Sequence, residues 1–282
     1  MRWGVRAATA ALVTVLATAL VVELAGGPTQ ARPAVAPAAR VTPVFHGEVF
    51  ADPSVVQYAG GYLAISTGWR APRAVSHSPR GPWRPVSRAL PELPRWVRSP
   101  QIWASDLVRT RKGWLLYYSA VAQGKTRRCI GVASARTALD PFRPIGKRPL
   151  VCPRPGAIDP SAFTSRHGRR FLLFKTQGNP ASIRLLPLAR DGRHRARHQH
   201  VRVLLRSQHT VENPVLVQHK RHLVLFTSEG YFGTCEYRTT WRRSRSLRHW
   251  GRAEPHSLLR RASTRVCGPG GADVLKIGRA HV

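Results

Sequence analysis

Four carboxylates, Asp52, Asp106, Asp159 and Glu212, recur along the chain at steps of 54, 53 and 53 residues, each leading into a pair of short apolar runs. An Asp before Pro, as in Asp52-Pro53 and Asp159-Pro160, is by itself an ordinary turn opener. Only 13 Asp and Glu stand against 46 Lys and Arg, however, so four acids at one spacing are not the chance yield of an acid-rich composition. Any architecture that repeats with this period brings them to one place. Converging carboxylates with no evident Ser or Cys nucleophile suit acid and base work on a glycosidic bond. In the inverting form one carboxylic acid protonates the departing oxygen and an opposed carboxylate, about 6.5–9.5 Å away, activates water. Glu212 has the longer arm and is flanked by Val211 and Pro214, an apolar setting that favours the protonated acid. Asp52 suits the base. Asp159 stands between them as the helper whose negative charge keeps Glu212 protonated.

The elements that position these acids read as hairpins. SVVQY, LVRT, AFTS and VLVQ each meet a turn with Gly or basic residues, then a second run rich in aromatic and aliphatic residues: YLAIS, WLLYYS, FLLF and LVLFTS. The 23 Pro and 23 Gly break the chain too often for long helices, so the fold class is all-β. A period near 53 residues matches one four-stranded blade of a β-propeller. Such a fold sets the first strand of every blade around one channel and gathers the acids at its rim.

Outside the repeat, Arg2 and Arg6 precede an apolar run from Ala7 to Leu24, so residues 1–31 read as a signal peptide. Residues 32–42, rich in Ala, Pro and Val without periodicity, read as a linker, and 43–276 as the propeller domain. The chain is expected to be secreted and extracellular, without stable membrane association. Four cysteines in an exported chain read as two disulfides. Of three connectivities, Cys129–Cys152 and Cys235–Cys267 each close a short loop and are favoured. The formal charge of +33 is spread through every segment, in turns such as RTRKG and SRHGRR, which argues against a specific nucleic-acid partner. It attracts polyanions without specificity. The His-rich stretch 194–200 has no ligand face, and no metal site is expected.

The ordered motifs ADPSV (51–55), WASDL (103–107), IDPSAF (158–163), VENPVLV (211–217) and GPGGADV (268–274) resemble those of the five-bladed propeller enzymes of glycoside hydrolase family 43. The resemblance implies an inverting hydrolase of arabinose- or xylose-containing polysaccharides, with Asp52 as base, Asp159 as the orienting and pKa-modulating acid and Glu212 as acid. It also implies that Trp103 and Asp106 shape the sugar subsite; Trp69 is a second candidate for stacking on a sugar. Arabinanase-type members carry a His beside a channel calcium after the GPG, where this chain has Gly271, so no cofactor is expected. The chain stops nine residues after Asp273, so the fifth blade reads as truncated. IGRAHV (277–282) reads as a non-native tail, the translation of a sequencing adapter. The expected partner is a poly- or oligosaccharide and the expected state a monomer. The competing reading is a non-catalytic propeller that binds carbohydrate or an anionic wall polymer.

Overall fold

The structure, a computed structural model, describes Phe45 and residues 50–275. The expected leader 1–31, linker 32–42 and tail 277–282 lie outside the described residues. Blade 1 is formed by β1 (Ser54–Tyr58), β2 (Gly61–Ile65), β4 (Arg73–Ser76) and β5 (Arg84–Val86). Between them β3 (Gly68–Trp69) crosses to blade 2 and pairs with β6 (Gln101–Thr110), which continues into β7 (Gly113–Val121), β8 (Arg128–Ala135) and β9 (Arg143–Pro144). Blade 3 is β10 (Ala157–Thr164), β11 (Arg170–Thr176), β12 (Ala181–Pro187) and β13 (Arg202–Ser207). Blade 4 is β14 (Val211–His219), β15 (His222–Glu229), β16 (Arg238–Ser244) and β17 (His256–Leu259), followed by one helical turn, α1 (Arg261–Thr264). Consecutive strands within a blade are antiparallel.

The strand sequences explain the stacking of blades. In β7, Trp114, Leu116, Tyr118 and Ala120 join one buried cluster with Leu63 and Ile65 of blade 1. Leu115 and Tyr117, on the opposite face, join another with Leu172 and Phe174 of blade 3. In β11 the alternation repeats: Leu172 and Phe174 face blade 2, while Phe171 and Leu173 face blade 4 and meet Leu216, Leu223 and Leu225. A strand buried on both faces has no polar side to show, which is why YYS- and LLF-type runs replace strict alternation. The first strands adjoin in order, β1 against β6, β6 against β10 and β10 against β14.

The turn before β7 needs its glycine. Gly113 has φ +110°, and a Cβ there would collide with the carbonyl of Ala135. The disulfides are Cys129–Cys152, joining β8 to the segment before β10, and Cys235–Cys267, joining the β15–β16 connection to the segment after α1. By loop length each constrains the unfolded chain by about 3.5 kcal/mol.

Residues 268–275 form no strand, yet they lie between blade 4 and blade 1, where the sequence places the start of a fifth blade. The Val55 N–H donates to Asp273 Oδ2 (2.6 Å), the Gly271 N–H to Ser228 Oγ (2.8 Å) and the Thr239 hydroxyl to the Pro269 carbonyl (2.8 Å). The fold is thus all-β and propeller-like: four blades among the described residues, with this segment at the fifth position.

Leu173 is fully buried between blades 3 and 4. Leu173→Ala is expected to cost about 2–5 kcal/mol by urea unfolding, the range for a large buried aliphatic that leaves a cavity. A loss below about 1 kcal/mol would contradict a close-packed blade interface.

Candidate active site

The register of the blades corrects the phase of the four acids. Strands β6, β10 and β14 each carry a bulge near their start, between Trp103 and Ser105, Ile158 and Ser161, and Glu212 and Val215. Pairing on either side of it makes Trp103, Ile158 and Glu212 equivalent, opposite Ser119, Lys175 and Ser228. The next position holds Ala104, Asp159 and Asn213, and in blade 1 Asp52. Asp106 falls two positions further on, with Ser161 and Val215. The counterpart of Asp52 and Asp159 in blade 4 is therefore Asn213 rather than Glu212. The shared feature is a Pro after the aligned residue: Asp52-Pro53, Asp159-Pro160 and Asn213-Pro214.

These three residues share a rare backbone conformation, φ 48° at Asp52, 54° at Asp159 and 48° at Asn213. Asp and Asn enter the left-handed region more readily than other non-glycine residues, though at a cost of order 1 kcal/mol each. The bulge and the left-handed residue together redirect the side chain at the start of each first strand. Asp52, Ala104, Asp106, Asp159, Asn213 and Asp273 all line one pocket at the channel. Glu212 lies beside it, joined to it through Asn213 and Tyr237.

Asn213 is the hub of the site. Its Nδ2 donates to Asp52 Oδ1 (3.2 Å) and its backbone N–H to Asp159 Oδ2 (3.1 Å). The Tyr237 hydroxyl lies 2.9 Å from Asn213 Oδ1 and 2.8 Å from Glu212 Oε1, and its single proton serves one acceptor at a time. Lys175, on β11, donates to Glu212 Oε2 at 2.8 Å. Thr67 donates to Asp52 Oδ2 (2.7 Å), its own hydroxyl oxygen accepting from Ala104 N–H (2.9 Å). The apolar setting expected around Glu212 is thus replaced by a cation and a phenol. Lys175 and Tyr237 are 37 and 25 residues away in sequence and arrive through the neighbouring blade and the β15–β16 connection. No local motif announces either; Asn213 was legible had the three prolines been aligned.

The carboxylates are coupled. Burial pushes the Asp159 pKa up to about 7, and the nearby charges of Glu212 and Asp52 add to the effect. Burial, reinforced by Asp273, raises Asp106 to about 8. Both Asp106 oxygens are occupied by protein donors, the Ala162 N–H (2.8 Å) and the Ser54 hydroxyl (3.3 Å). Asp106 therefore joins blades 1, 2 and 3 as well as forming part of the pocket wall. Trp103 and Trp69 sit at the same rim and are large exposed aromatics. Trp69 pairs with Gln101 through β3, and the Arg128 guanidinium covers the Trp103 ring, 3.1 Å from its centroid.

A channel cation does not fit these residues. Among the described residues no three His, Cys, Asp or Glu side chains are grouped to hold one, and Gly271 faces Asp52 with no side chain to offer.

Raised carboxyl pKa values carry a signed consequence for stability. A group that holds its proton more tightly when folded adds stability below its unfolded pKa of about 4, and that stability is lost as pH rises through the folded value. The urea midpoint is expected to fall between about pH 4 and pH 8, where Asp159 and then Asp106 ionise. Asp106→Asn, which keeps an acceptor for Ala162 N–H, is expected to flatten the upper part of that slope. A midpoint that rises steadily across this window would refute the assignment.

Comparison with known proteins gives the family. The model for glycosyl hydrolases family 43 matches residues 42–279. A probable arabinan endo-1,5-alpha-L-arabinosidase A of Aspergillus clavatus is 34% identical over 97 residues, which cover 32% of this chain and 29% of that relative. The exo-1,5-alpha-L-arabinanase from a bovine ruminal metagenomic library superposes with a TM-score of 0.63 at 21% identity, over 75% of this chain and 79% of the other. The native Bacillus subtilis arabinanase does so with a TM-score of 0.63 at 18% identity, over 81% and 86%. At those identities the two structures speak for the fold, and the match across residues 42–279 speaks for descent: the chain belongs to glycoside hydrolase family 43.

Proposed function

We propose that the protein is a secreted, inverting glycoside hydrolase that cleaves arabinose- or xylose-containing polysaccharides, arabinan foremost. The observation that carries this reading is the linked set of three carboxylates at one channel mouth, Asp52 and Asp159 held by Asn213 and Glu212 joined to the same residue through Tyr237. The arabinanases among its relatives support the choice of sugar. The two disulfides suit an oxidising compartment and so support secretion.

In this mechanism Asp52, oriented by Thr67 and Asn213, takes a proton from water. The water oxygen attacks the anomeric carbon as the bond to the leaving oxygen breaks, and Glu212 delivers a proton to that oxygen. Asp52 ends protonated, Glu212 ends ionised, and the anomeric configuration inverts. Burial and the two neighbouring charges hold a proton on Asp159 near neutrality, so the cluster stays one proton short of full ionisation. An inverting displacement requires such a proton on Glu212 when the bond to the leaving oxygen breaks. Lys175 and the Tyr237 phenol, whose pKa burial and Glu212 push upward, then receive the carboxylate that proton transfer creates. Trp69 offers an apolar face to the sugar at the rim, beside the Trp103 ring that Arg128 covers.

Hydrolysis of debranched arabinan and of nitrophenyl arabinofuranoside tests the roles separately. Glu212→Ala is expected to lower kcat on arabinan by about 10²–10⁴, the usual worth of a positioned acid. The loss should be smaller on the nitrophenyl substrate, whose leaving group needs little protonation. Asp52→Asn is expected to lose both activities alike. Full activity of Glu212→Ala on arabinan would sink the reading.

A further inference from the structure

At the rim that carries the acids, a second feature lies outside the catalytic cluster. The β7–β8 connection, residues 122–127, meets the chain entering β6 at Arg98 and the chain entering β10 at Arg154. Together they line a cleft of about 410 Å³ whose charged residues are Arg98, Lys125, Arg127 and Arg154. Its place is fixed by the register. Ser119 pairs with Trp103, and two residues later the Val121 carbonyl accepts the Arg98 N–H (2.9 Å). Arg128, adjoining the cleft, lies over the Trp103 ring.

These cations converge without an anion. No carboxylate lines the cleft, and none of the ion pairs among the described residues uses Arg98, Lys125, Arg127, Arg128 or Arg154. The Nε–H groups of Arg127 and Arg128 are buried with no acceptor, whereas Arg127 Nη1 reaches the Arg154 carbonyl (3.2 Å). Like charges held together cost free energy that a bound anion recovers. Burial, then the neighbouring Arg98, lower the Arg128 pKa, which marks the same repulsion. The cluster is also built rather than splayed. Cys129, next to Arg128, is tied to Cys152, two residues before Arg154, and Ile130 pairs with Val151 beside that bond. Arg111 and Lys112, by contrast, sit on a turn tip at the opposite end of blade 2.

Guanidinium groups present paired donors that match the two oxygens of a carboxylate. On a rim beside an exposed Trp, the anion most suited to the cleft is one carried on a sugar. We propose that the cleft is a subsite for the carboxylate of a uronosyl residue, so that the enzyme selects acidic, uronate-bearing regions of its polysaccharide. The inference deepens the glycosidase reading and rests on it.

Calorimetry with the full chain measures binding of pentose oligosaccharides that carry one glucuronosyl or one galacturonosyl residue, against their carboxyl-reduced counterparts. Hydrolysis of neutral debranched arabinan is followed in parallel. The wild-type protein is expected to bind at least one acidic oligosaccharide about tenfold more tightly than its reduced form, a size that a few partly exposed charged contacts supply. Whichever uronate shows the preference names the source. The double variant Lys125→Ala/Arg154→Ala should abolish it, while Arg111→Ala/Lys112→Ala, which removes the same charge from the far end, should retain it. Equal affinity for acidic and reduced oligosaccharides, or equal loss in both double variants, would overturn the subsite. Arabinan cleavage without acidic preference refutes the cleft alone; acidic preference without cleavage of any pentoside refutes the glycosidase alone.

Discussion

A carboxylate on one blade accepting the backbone N–H of the next is the interaction on which the site depends. Asp106 holds Ala162, Asp159 holds Asn213, and Asp273 holds Val55. Apolar packing between blades fixes their spacing but not their rotation about the channel, because the hydrophobic effect has no direction. Hydrogen bonds to main-chain N–H groups supply that direction, because they need donor and acceptor in line. The same side chains line the pocket, so the groups that align the blades also set the field in which the chemistry takes place.

That double use has a cost. Withdrawing Asp106, Asp159 and Asp273 from water raises their pKa values, and the cluster resists full ionisation in a chain otherwise dominated by cations. One cation, Lys175, is held inside the site by Glu212; it is buried, and its partner is partly buried. A buried pair of this kind adds little net stability, but removing either member leaves an uncompensated charge. Its worth is positional: Lys175 and Tyr237 fix both Glu212 oxygens from two directions while Asn213 links that carboxylate to Asp52 and Asp159.

Much of this was legible before the fold was known. The period near 53 residues, the hairpin signals and the paired cysteines point to the blades and to both disulfides, because these are local patterns repeated along the chain. The repeat also led to the right neighbourhood for the acids. It misjudged their phase, since a bulge adds a residue to one strand without leaving a mark that spacing alone reveals. Asp106 shows the consequence: counted as one of four equivalent acids, it sits two positions along its strand and gives both oxygens to neighbouring blades.

Local chemistry along the chain sets the short apolar runs and polar turns, the blade length and the identity of the carboxylates. The packing of blade on blade makes Asn213 the counterpart of Asp52 and Asp159, brings Lys175 and Tyr237 to Glu212, and sets Arg98, Arg127 and Arg154 around one cleft. Those partners are brought together by the stacking of one blade on the next and by the register across bulged strands. Neither is written in any stretch short enough to be read as a motif, because contacts between blades join residues that are dozens of positions apart.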